Sequence, residues 1–205
     1  MRRFQVALEL MEATQTRPLI GQFSAIDRPL IQAVAVLTGA FVTALAAQVQ
    51  VPWQPVPFTL QTLVVMACGL SLGLRLGVMS QVLYLVAGLA GLPVFAQFRA
   101  GIPALLGPTG GYLLAFVVMA GILGWVAERG WDRKVLPLAL SLVVSTLVVY
   151  ALGTTWLSVF TGSLASAWMA GAAPFLVTDA LKIMIACGAF PGAWALLSRY
   201  TGRPA

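Results

Sequence analysis

Six apolar segments, separated by connections of varied length, dominate the pattern of hydrophobic and polar positions along the chain. Four of the six are close in length to a helical membrane crossing, which takes about 20 predominantly apolar residues. The pattern therefore predicts an all-α integral membrane protein, a compact bundle of six transmembrane helices. The predicted spans are Leu30 to Ala47, Phe58 to Leu72, Leu76 to Leu89, Gly111 to Ala127, Val135 to Leu152 and Phe175 to Leu197.

The second and third predicted spans are short for a full crossing, so we expect them to tilt little or to be shielded by neighbouring helices. Gly73 and Arg75 indicate a tight turn between them. The chain then divides into an N-terminal lead-in at residues 1–29, a six-helix domain at 30–198 and a C-terminal tail at 199–205. We expect no cleaved signal peptide, because no sustained apolar core precedes Pro18.

Composition supports a membrane protein. Hydrophobic residues make up 60% of the 205 residues and charged residues 9%, far from the balance of an ordinary soluble domain. The twelve Lys and Arg residues against six Asp and Glu would suggest nucleic acid in a soluble protein. Here the positions of the charges along the chain favour an orientation signal in a membrane, so no nucleic-acid partner is expected.

The positive charges fall on one side of the predicted bundle. With six spans the opposite side receives only Arg99, and Lys182 lies within a span. Because cytoplasmic connections carry the excess of Lys and Arg, both termini are expected in the cytoplasm, with the protein in the cell (inner) membrane. The ten charges on the cytoplasmic side are Arg2, Arg3, Arg17, Arg28, Arg75, Arg129, Arg133, Lys134, Arg199 and Arg203.

Several kinds of chemistry are missing from the sequence. The chain has no histidine, which excludes histidine metal sites and histidine-dependent catalytic triads. Neither of its two lysines stands in the Gly-Lys-Ser/Thr context of a phosphate-binding loop. Cys68 and Cys187 lie far apart in apolar segments and are expected to be inert. We therefore expect neither an enzyme nor a resident cofactor or metal, and ATP-driven work would need another polypeptide.

Small residues recur every four positions in the first span. Such a ridge lets another helix approach closely, because packing drives association in lipid. Two interpretations remain open: packing within the chain, or docking of a partner subunit. The ridge consists of Ala35, Gly39, Ala40, Thr43 and Ala44.

Three connections on the presumed outer side contain prolines and glycines: VQVPWQPVP, GLPVFAQFRAGIPALLGPTGG and TTWLSVFTGSLASAWMAGAA. Irregular backbone at membrane depth needs protein or a cavity to cover it, so we expect these loops to fold back as a lid. The third is apolar enough for a re-entrant or interfacial helix. A seventh span there would break the charge asymmetry.

Polar residues cluster beside these loops. Thr59 is a predicted N-cap, followed by Gln61 and Thr62 in the first turn of the second span. Gly110 belongs to a turn before a helix start, where exposed amides favour negative charge. Arg99 is either a solvated loop residue or a receptor for a carboxylate.

Asp179 and Lys182 lie inside the last apolar span. At positions i and i+3 they share one helical face, and each would cost about 2.5 to 3.5 kcal/mol in a lipid-facing position. They form either a self-neutralised structural pair or part of a path for a polar substrate.

Taken in order and spacing, VPFTLQTL, YLVAGLAGLPVF, LLGPTGGYLLAF and PFLVTDALK resemble the BioY family, the biotin-specific substrate-binding (S) components of energy-coupling factor (ECF) transporters. The resemblance covers roughly Leu30 to Leu197. It implies the ECF S-component fold, with a vitamin pocket beneath lid-like outer loops. Two departures are Val177-Thr178, where the family commonly has Pro-Gly, and a segment from Phe98 to Ala104 that is less rich in glycine.

The resemblance also implies roles for residues in biotin binding. Asp179 would accept from the ureido N–H groups and Lys182 would donate to the ureido oxygen, with Gln61 or Tyr84 completing that network. Arg99 would hold the carboxylate, although the assignments of Lys182 and Arg99 are open to reversal. The remaining implied contacts are Phe95 and Tyr112, which would cover the ring, and Gly110.

The implied partners are biotin, a transmembrane coupling (T) subunit, a pair of ABC-type ATPases and membrane lipid, and a homo-oligomer is left open. Two alternatives stand beside this interpretation. One is an S component for another vitamin. The other is a stand-alone secondary transporter that uses Asp179 as its proton carrier.

Overall fold

The computed structural model describes residues 18–19 and 29–201, and this part of the chain is mainly helical. Most of the predicted lead-in and tail lies outside the described residues. In chain order the elements are α1 (Pro29–Gln48), β1 (Gln50–Val51), β2 (Phe58–Thr59), α2 (Gln61–Leu89), α3 (Gly101–Leu106), α4 (Gly110–Glu128), α5 (Val135–Thr161), α6 (Leu164–Gly171) and α7 (Leu176–Thr201), with 3-10 turns at Ala96–Phe98, Trp131–Arg133 and Ala173–Phe175.

Helix α2 accounts for two of the predicted spans. Its backbone leaves the helical region at Gly73, where φ is +82° and ψ is −178°, a conformation that glycine adopts without steric cost. The N–H of Leu74 donates to Oε1 of Glu128 at 2.9 Å. The predicted turn is therefore confirmed, and α2 consists of two limbs, residues 61–72 and 74–89. With α1, α4, α5 and α7 they form the predicted six-helix membrane bundle, in which five helical segments are long and apolar enough to cross a membrane.

Helix α4 is the centre of the bundle. In the most apolar stretch of α4, 67% of the residues are buried inside the protein, against 39% in the corresponding stretches of α1 and α5. Both limbs of α2 approach it closely at glycines: a Cβ at Gly69 would lie 2.8 Å from the carbonyl oxygen of Ala120, and one at Gly124 would lie 2.4 Å from the backbone nitrogen of Leu74. Small residues thus set the spacing between these helices.

The small-residue ridge of α1 is covered by the second limb of α2. Ala35, Gly39, Ala40 and Thr43 are buried and Ala44 is half-buried. A Cβ at Gly39 would lie 2.8 Å from Cβ of Ser80, and Nε2 of Gln81 donates to Oγ1 of Thr43 at 3.2 Å. Of the two interpretations left open, these contacts support packing within the chain, and docking of a partner subunit on the ridge stays a prediction.

The third connection begins later than predicted. Helix α5 ends at Thr161, not Leu152, and the chain turns at Gly162, whose φ is +77°. Gly153 lies inside the continuous helix, and its missing side chain makes room for the ring of Tyr112, which a Cβ at that position would meet. The rest of the connection contains the short helix α6, where the sequence predicted a re-entrant or interfacial helix.

The first connection is also more regular than predicted. Strands β1 and β2 pair antiparallel, with Gln50 opposite Thr59 and Val51 opposite Phe58. Since the crossing helices alternate in direction, residues 49–60, 90–109 and 162–175 all lie at one end of the bundle, which we call the loop end. The Gly73 turn and the turn Trp131–Arg133 lie at the other.

Candidate functional site

A cavity opens at the loop end of the bundle. It contains about 730 Å³ of empty space, including the part open to solvent. Three of its lining residues are charged: Arg99, Asp179 and Lys182. The other lining residues are Val56, Pro57, Thr59, Gln61, Thr62, Phe95, Ala96, Gln97, Ala104, Thr109, Tyr112, Leu113, Phe116, Val149, Tyr150, Gly171 and Phe175.

Asp179 and Lys182 form a buried ion pair at the start of α7. Lys182 Nζ lies 2.7 Å from Asp179 Oδ1, and the two residues are only 8% and 3% exposed. The predicted sharing of one helical face is confirmed, because one turn of helix separates the two side chains.

All three protons of the Lys182 ammonium have protein acceptors. Besides Asp179, Nζ donates to the carbonyl oxygen of Thr59 at 2.9 Å and to Oγ1 of Thr62 at 2.7 Å. A lysine has three donors and no acceptor. In this arrangement Lys182 is saturated and its charge is balanced by Asp179, so it has no donor free for a ligand.

Asp179 keeps some acceptor capacity. Its Oδ2 accepts from the hydroxyl of Tyr150 at 2.6 Å, and its Oδ1 accepts from Lys182 and, at 3.4 Å, from Thr62. A carboxylate offers about four lone-pair positions. One position, on Oδ2, remains for a donor in the cavity.

Sequence reasoning missed Tyr150 and the site role of Thr62. The available signal was one tyrosine in the otherwise apolar segment VVYALG, and a threonine one residue after Gln61. Neither polar group has an apparent use in its own helix. Both meet Asp179 only because α5 and the first limb of α2 pack beside α7.

Gln61 lies on the cavity wall and is held from behind by Tyr84. Nε2 of Gln61 donates to the Tyr84 hydroxyl at 2.8 Å, which in turn donates to the carbonyl oxygen of Val94 at 3.2 Å. Tyr84 does not line the cavity. The predicted N-cap is wrong by one residue: Leu60 occupies that position, while Oγ1 of Thr59 still accepts from the Gln61 N–H at 3.3 Å.

Aromatic rings form much of the apolar wall. Phe95 is 2% exposed and meets Tyr84 edge to face, with ring centroids 5.5 Å apart. Phe175 stacks on Phe58 with centroids 4.2 Å apart. Tyr112 donates to the carbonyl oxygen of Gly171 at 2.9 Å. Contacts with other side chains and with the backbone therefore hold these rings in the cavity wall.

Gly110 does not line the cavity, contrary to its predicted role. A Cβ there would lie 1.8 Å from the carbonyl oxygen of Leu105 and 3.2 Å from Nε1 of Trp156. The same indole N–H donates to the carbonyl oxygen of Gly107 at 2.9 Å. Gly110 therefore allows α3 and α5 to approach the first turn of α4, and its neighbour Thr109 contacts the cavity.

Arg99 lies at the exposed rim of the cavity. One guanidinium nitrogen, Nη2, donates to the amide Oε1 of Gln97 at 2.7 Å. The Asp179–Lys182 contact is the sole ion pair within residues 18–19 and 29–201, so the Arg99 charge has no anionic partner there. The planar fork of arginine matches a carboxylate, and Arg99 is thus the cavity cation available to one.

The arrangement is an apolar slot with two polar ends: a buried carboxylate with a free acceptor position and a guanidinium at the rim. Across the described part of the chain, no group of three His, Cys, Asp or Glu side chains is placed to hold a metal ion. The site suits an elongated ligand with N–H donors on a compact head and an anionic tail.

Known proteins resemble this chain in sequence and in fold. The model of the BioY family matches residues 16–199. A Pyrococcus horikoshii protein named "Probable biotin transporter BioY" is 41% identical over 140 residues, 68% of this chain and 82% of that protein. The "Biotin transporter BioY" of Thermotoga maritima is 36% identical over 141 residues, with the same two coverages.

A solved structure shares the fold. It is described as the "Crystal structure at 2.1 A of the S-component for biotin from an ECF-type ABC transporter", and it matches with a TM-score of 0.67 at 21% identity. The match covers 86% of this chain and 93% of the other.

Proposed function

The chain belongs to the BioY family, and on that premise we propose that it binds biotin as the substrate-specific component of an ATP-driven vitamin importer. The observation that carries the proposal is the buried Asp179 carboxylate, which faces an apolar cavity with one acceptor position unused. Biotin has matching chemistry: a ureido ring from which one N–H can donate to this position, an apolar thiophane body and a carboxylate tail.

The ureido group is assigned to Asp179. A buried acceptor that is left unpaired when the wrong ligand binds rejects that ligand strongly. Lys182, with all its donors used, balances the charge of Asp179 and holds its carboxylate in place. This differs from the role that the family resemblance suggested for it, direct donation to the ureido oxygen. Gln61 faces the cavity with one amide N–H beyond the one given to Tyr84, and it is the better donor for that oxygen.

The carboxylate is assigned to Arg99. Of the two cations that line the cavity, Lys182 is already neutralised by Asp179 and Arg99 is not. The apolar body of biotin then lies along Phe95, Tyr112 and Phe175. No resident cofactor or metal has a part in this mechanism.

Transport requires partners in this proposal. The sequence has no phosphate-binding loop, so ATP hydrolysis falls to separate ABC-type ATPases linked through a transmembrane coupling subunit. The distribution of positive charge supports cytoplasmic termini in the inner membrane and a loop end that faces outward. Biotin enters from that side and is released inward when the S component reorients.

Binding by a panel of vitamins tests the proposal against its nearest alternative. The purified chain in detergent should bind biotin and reject riboflavin, thiamine and pantothenate at the same concentrations. Preference for another vitamin would reassign the cavity. Uptake into liposomes by this chain alone, driven by a proton gradient, would replace the ATP-driven mechanism with the stand-alone alternative.

A further inference from the structure

The segment from Val94 to Arg99 is a short loop that carries much of the cavity rim. Phe95, Ala96, Gln97 and Arg99 all line the cavity. Two consecutive residues of this loop, Gln97 and Phe98, have left-handed backbone, with φ of +62° and +55°. Residues with a Cβ rarely adopt this conformation, and it persists where the surroundings hold it.

One side chain from another element spans this left-handed turn. Gln48, the last residue of α1, donates from Nε2 to the carbonyl oxygen of Phe95 at 3.0 Å and accepts at Oε1 from the N–H of Phe98 at 3.2 Å. A longer contact joins Nε2 to the carbonyl oxygen of Val94 at 3.4 Å. Gln48 does not line the cavity.

The loop is closed upon itself between these contacts. The N–H of Phe95 donates to the carbonyl oxygen of Arg99 at 3.1 Å, and the N–H of Arg99 donates to that of Ala96 at 3.4 Å. The guanidinium of Arg99 is held by Gln97, a left-handed residue. The position of the Arg99 charge therefore depends on the turn that Gln48 holds.

We infer that Gln48 is a positioning residue: by clamping the left-handed turn at Gln97 and Phe98, it places Arg99 for the carboxylate of the ligand. The inference rests on the proposed function. Gln48 should affect the carboxylate end of the ligand and not the ureido end. Asp179, at the ureido end, is held by Tyr150, Thr62 and Lys182, and none of its hydrogen bonds comes from the Val94 to Arg99 loop.

The test uses ratios of affinities, because a general loss of structure does not change one ratio alone. The first ratio compares biotin with biotin methyl ester and reports on the carboxylate end. The second compares biotin with 2-iminobiotin and reports on the ureido end. In Gln48→Ala the first ratio should fall by about tenfold, as expected when a charge-assisted hydrogen bond is misplaced, while the second stays as in the wild type.

Gln50→Ala is the matched control. It truncates the same type of side chain two residues further along the chain, but Oε1 of Gln50 has no hydrogen-bond partner. Both ratios should remain unchanged in this variant. If Gln48→Ala does not fold, Gln48→Leu preserves the bulk of the side chain and removes both hydrogen bonds, with the same expected change in the first ratio.

A second substitution distinguishes positioning from general packing. Asparagine adopts the left-handed region more readily than phenylalanine, and Phe98 is exposed and outside the cavity wall. When it is combined with Gln48→Ala, Phe98→Asn should therefore raise the ratio of biotin to methyl-ester affinity part of the way back to the wild-type value.

Two results overturn the inference. One is a wild-type carboxylate ratio in both Gln48 variants, and the other is an equal fall in both ratios that Phe98→Asn does not rescue. A wild-type chain that binds no biotin would instead remove the proposed function, and the inference with it.

Discussion

The hydroxyl of Tyr150 donates to Oδ2 of Asp179 at 2.6 Å, opposite the oxygen that Lys182 holds. A carboxylate fixed on both oxygens has little freedom to rotate. Its remaining acceptor position then points in one direction, into the cavity, which pre-organises the site for a donor.

We predict that Tyr150→Phe weakens biotin binding by roughly 1.5 to 3 kcal/mol, the usual contribution of a hydrogen bond to a charged group. The expected cause is an Asp179 held through Oδ1 alone, so that the acceptor position on Oδ2 is no longer directed into the cavity. Isothermal titration calorimetry on the purified variant measures the loss of biotin affinity. Tyr112→Phe is the control, since that hydroxyl bonds to a backbone carbonyl in the same cavity. Equal losses in the two variants would contradict a special role for Tyr150.

The Asp179–Lys182 pair allows stability and binding to be separated. Removing one partner of a buried pair costs about 3 to 5 kcal/mol, because the other charge is left uncompensated. Asp179→Asn and Lys182→Met should each lower the unfolding midpoint and weaken biotin binding. The double variant should recover stability without recovering binding, because the acceptor is still missing. Recovery of both would mean that the pair is only structural.

Arg99 should act on the tail alone. Arg99→Gln is expected to weaken binding of biotin by about 1.5 to 3 kcal/mol, since a charge-assisted hydrogen bond is lost. Biotin methyl ester, which has no charge to lose, should bind both proteins equally. Arg75→Gln, at the opposite end of the bundle, should leave both affinities unchanged. An equal loss for acid and ester in Arg99→Gln would exclude Arg99 as the carboxylate receptor.

A packing role for the α1 ridge predicts a stability effect in the isolated chain. Gly39→Leu should lower its unfolding midpoint, because the added atoms meet Ser80, and such overpacking costs about 1 to 3 kcal/mol. Thr38→Leu is the control on the exposed neighbouring face. If Gly39→Leu leaves the isolated chain unaltered and blocks assembly with a coupling subunit, the ridge is a docking face after all.

Asp132 predicts a pH dependence at the end of the bundle opposite the cavity. Burial raises its pKa from 3.8 to about 6, against the opposing effects of a hydrogen bond from Trp194 and the charge of Arg133. The folded chain thus keeps this proton to a higher pH than the unfolded chain does. The contribution of this protonation to the free energy of unfolding is fully present below about pH 3.8, falls as the pH rises to about 6 and is lost above that.

Thermal unfolding between about pH 4 and pH 7 measures this contribution. Asp132→Asn, which keeps an oxygen to accept from the Trp194 indole, should flatten that part of the profile. The same slope in the wild type and the variant would assign the pH dependence to other groups.

The sequence was sufficient for features that depend on spacing along one helix. The six spans, the turn at Gly73 and the shared face of Asp179 and Lys182 all follow from local pattern. Features made between helices were not predictable in the same way. The contact of Tyr150 with Asp179, the saturation of Lys182 and the clamp by Gln48 each join residues far apart in the chain.

Glycines and small residues illustrate the same limit. Gly110 lies in a predicted binding turn, Gly153 directly follows the predicted end of the fifth span at Leu152, and the ridge at Gly39 was compatible with packing or with docking. Each proved to be a place where another segment packs closely, and the identity of that segment is not encoded within a few residues of the glycine.

Calorimetric titration of biotin into the purified wild-type chain, beside the double variant Asp179→Asn, Lys182→Met, tests the central claim most directly. Our account predicts one saturable site in the wild type without any partner subunit, and a folded double variant that no longer shows it. Undiminished binding in that double variant would contradict the claim that the Asp179 carboxylate is the receptor for the ureido group.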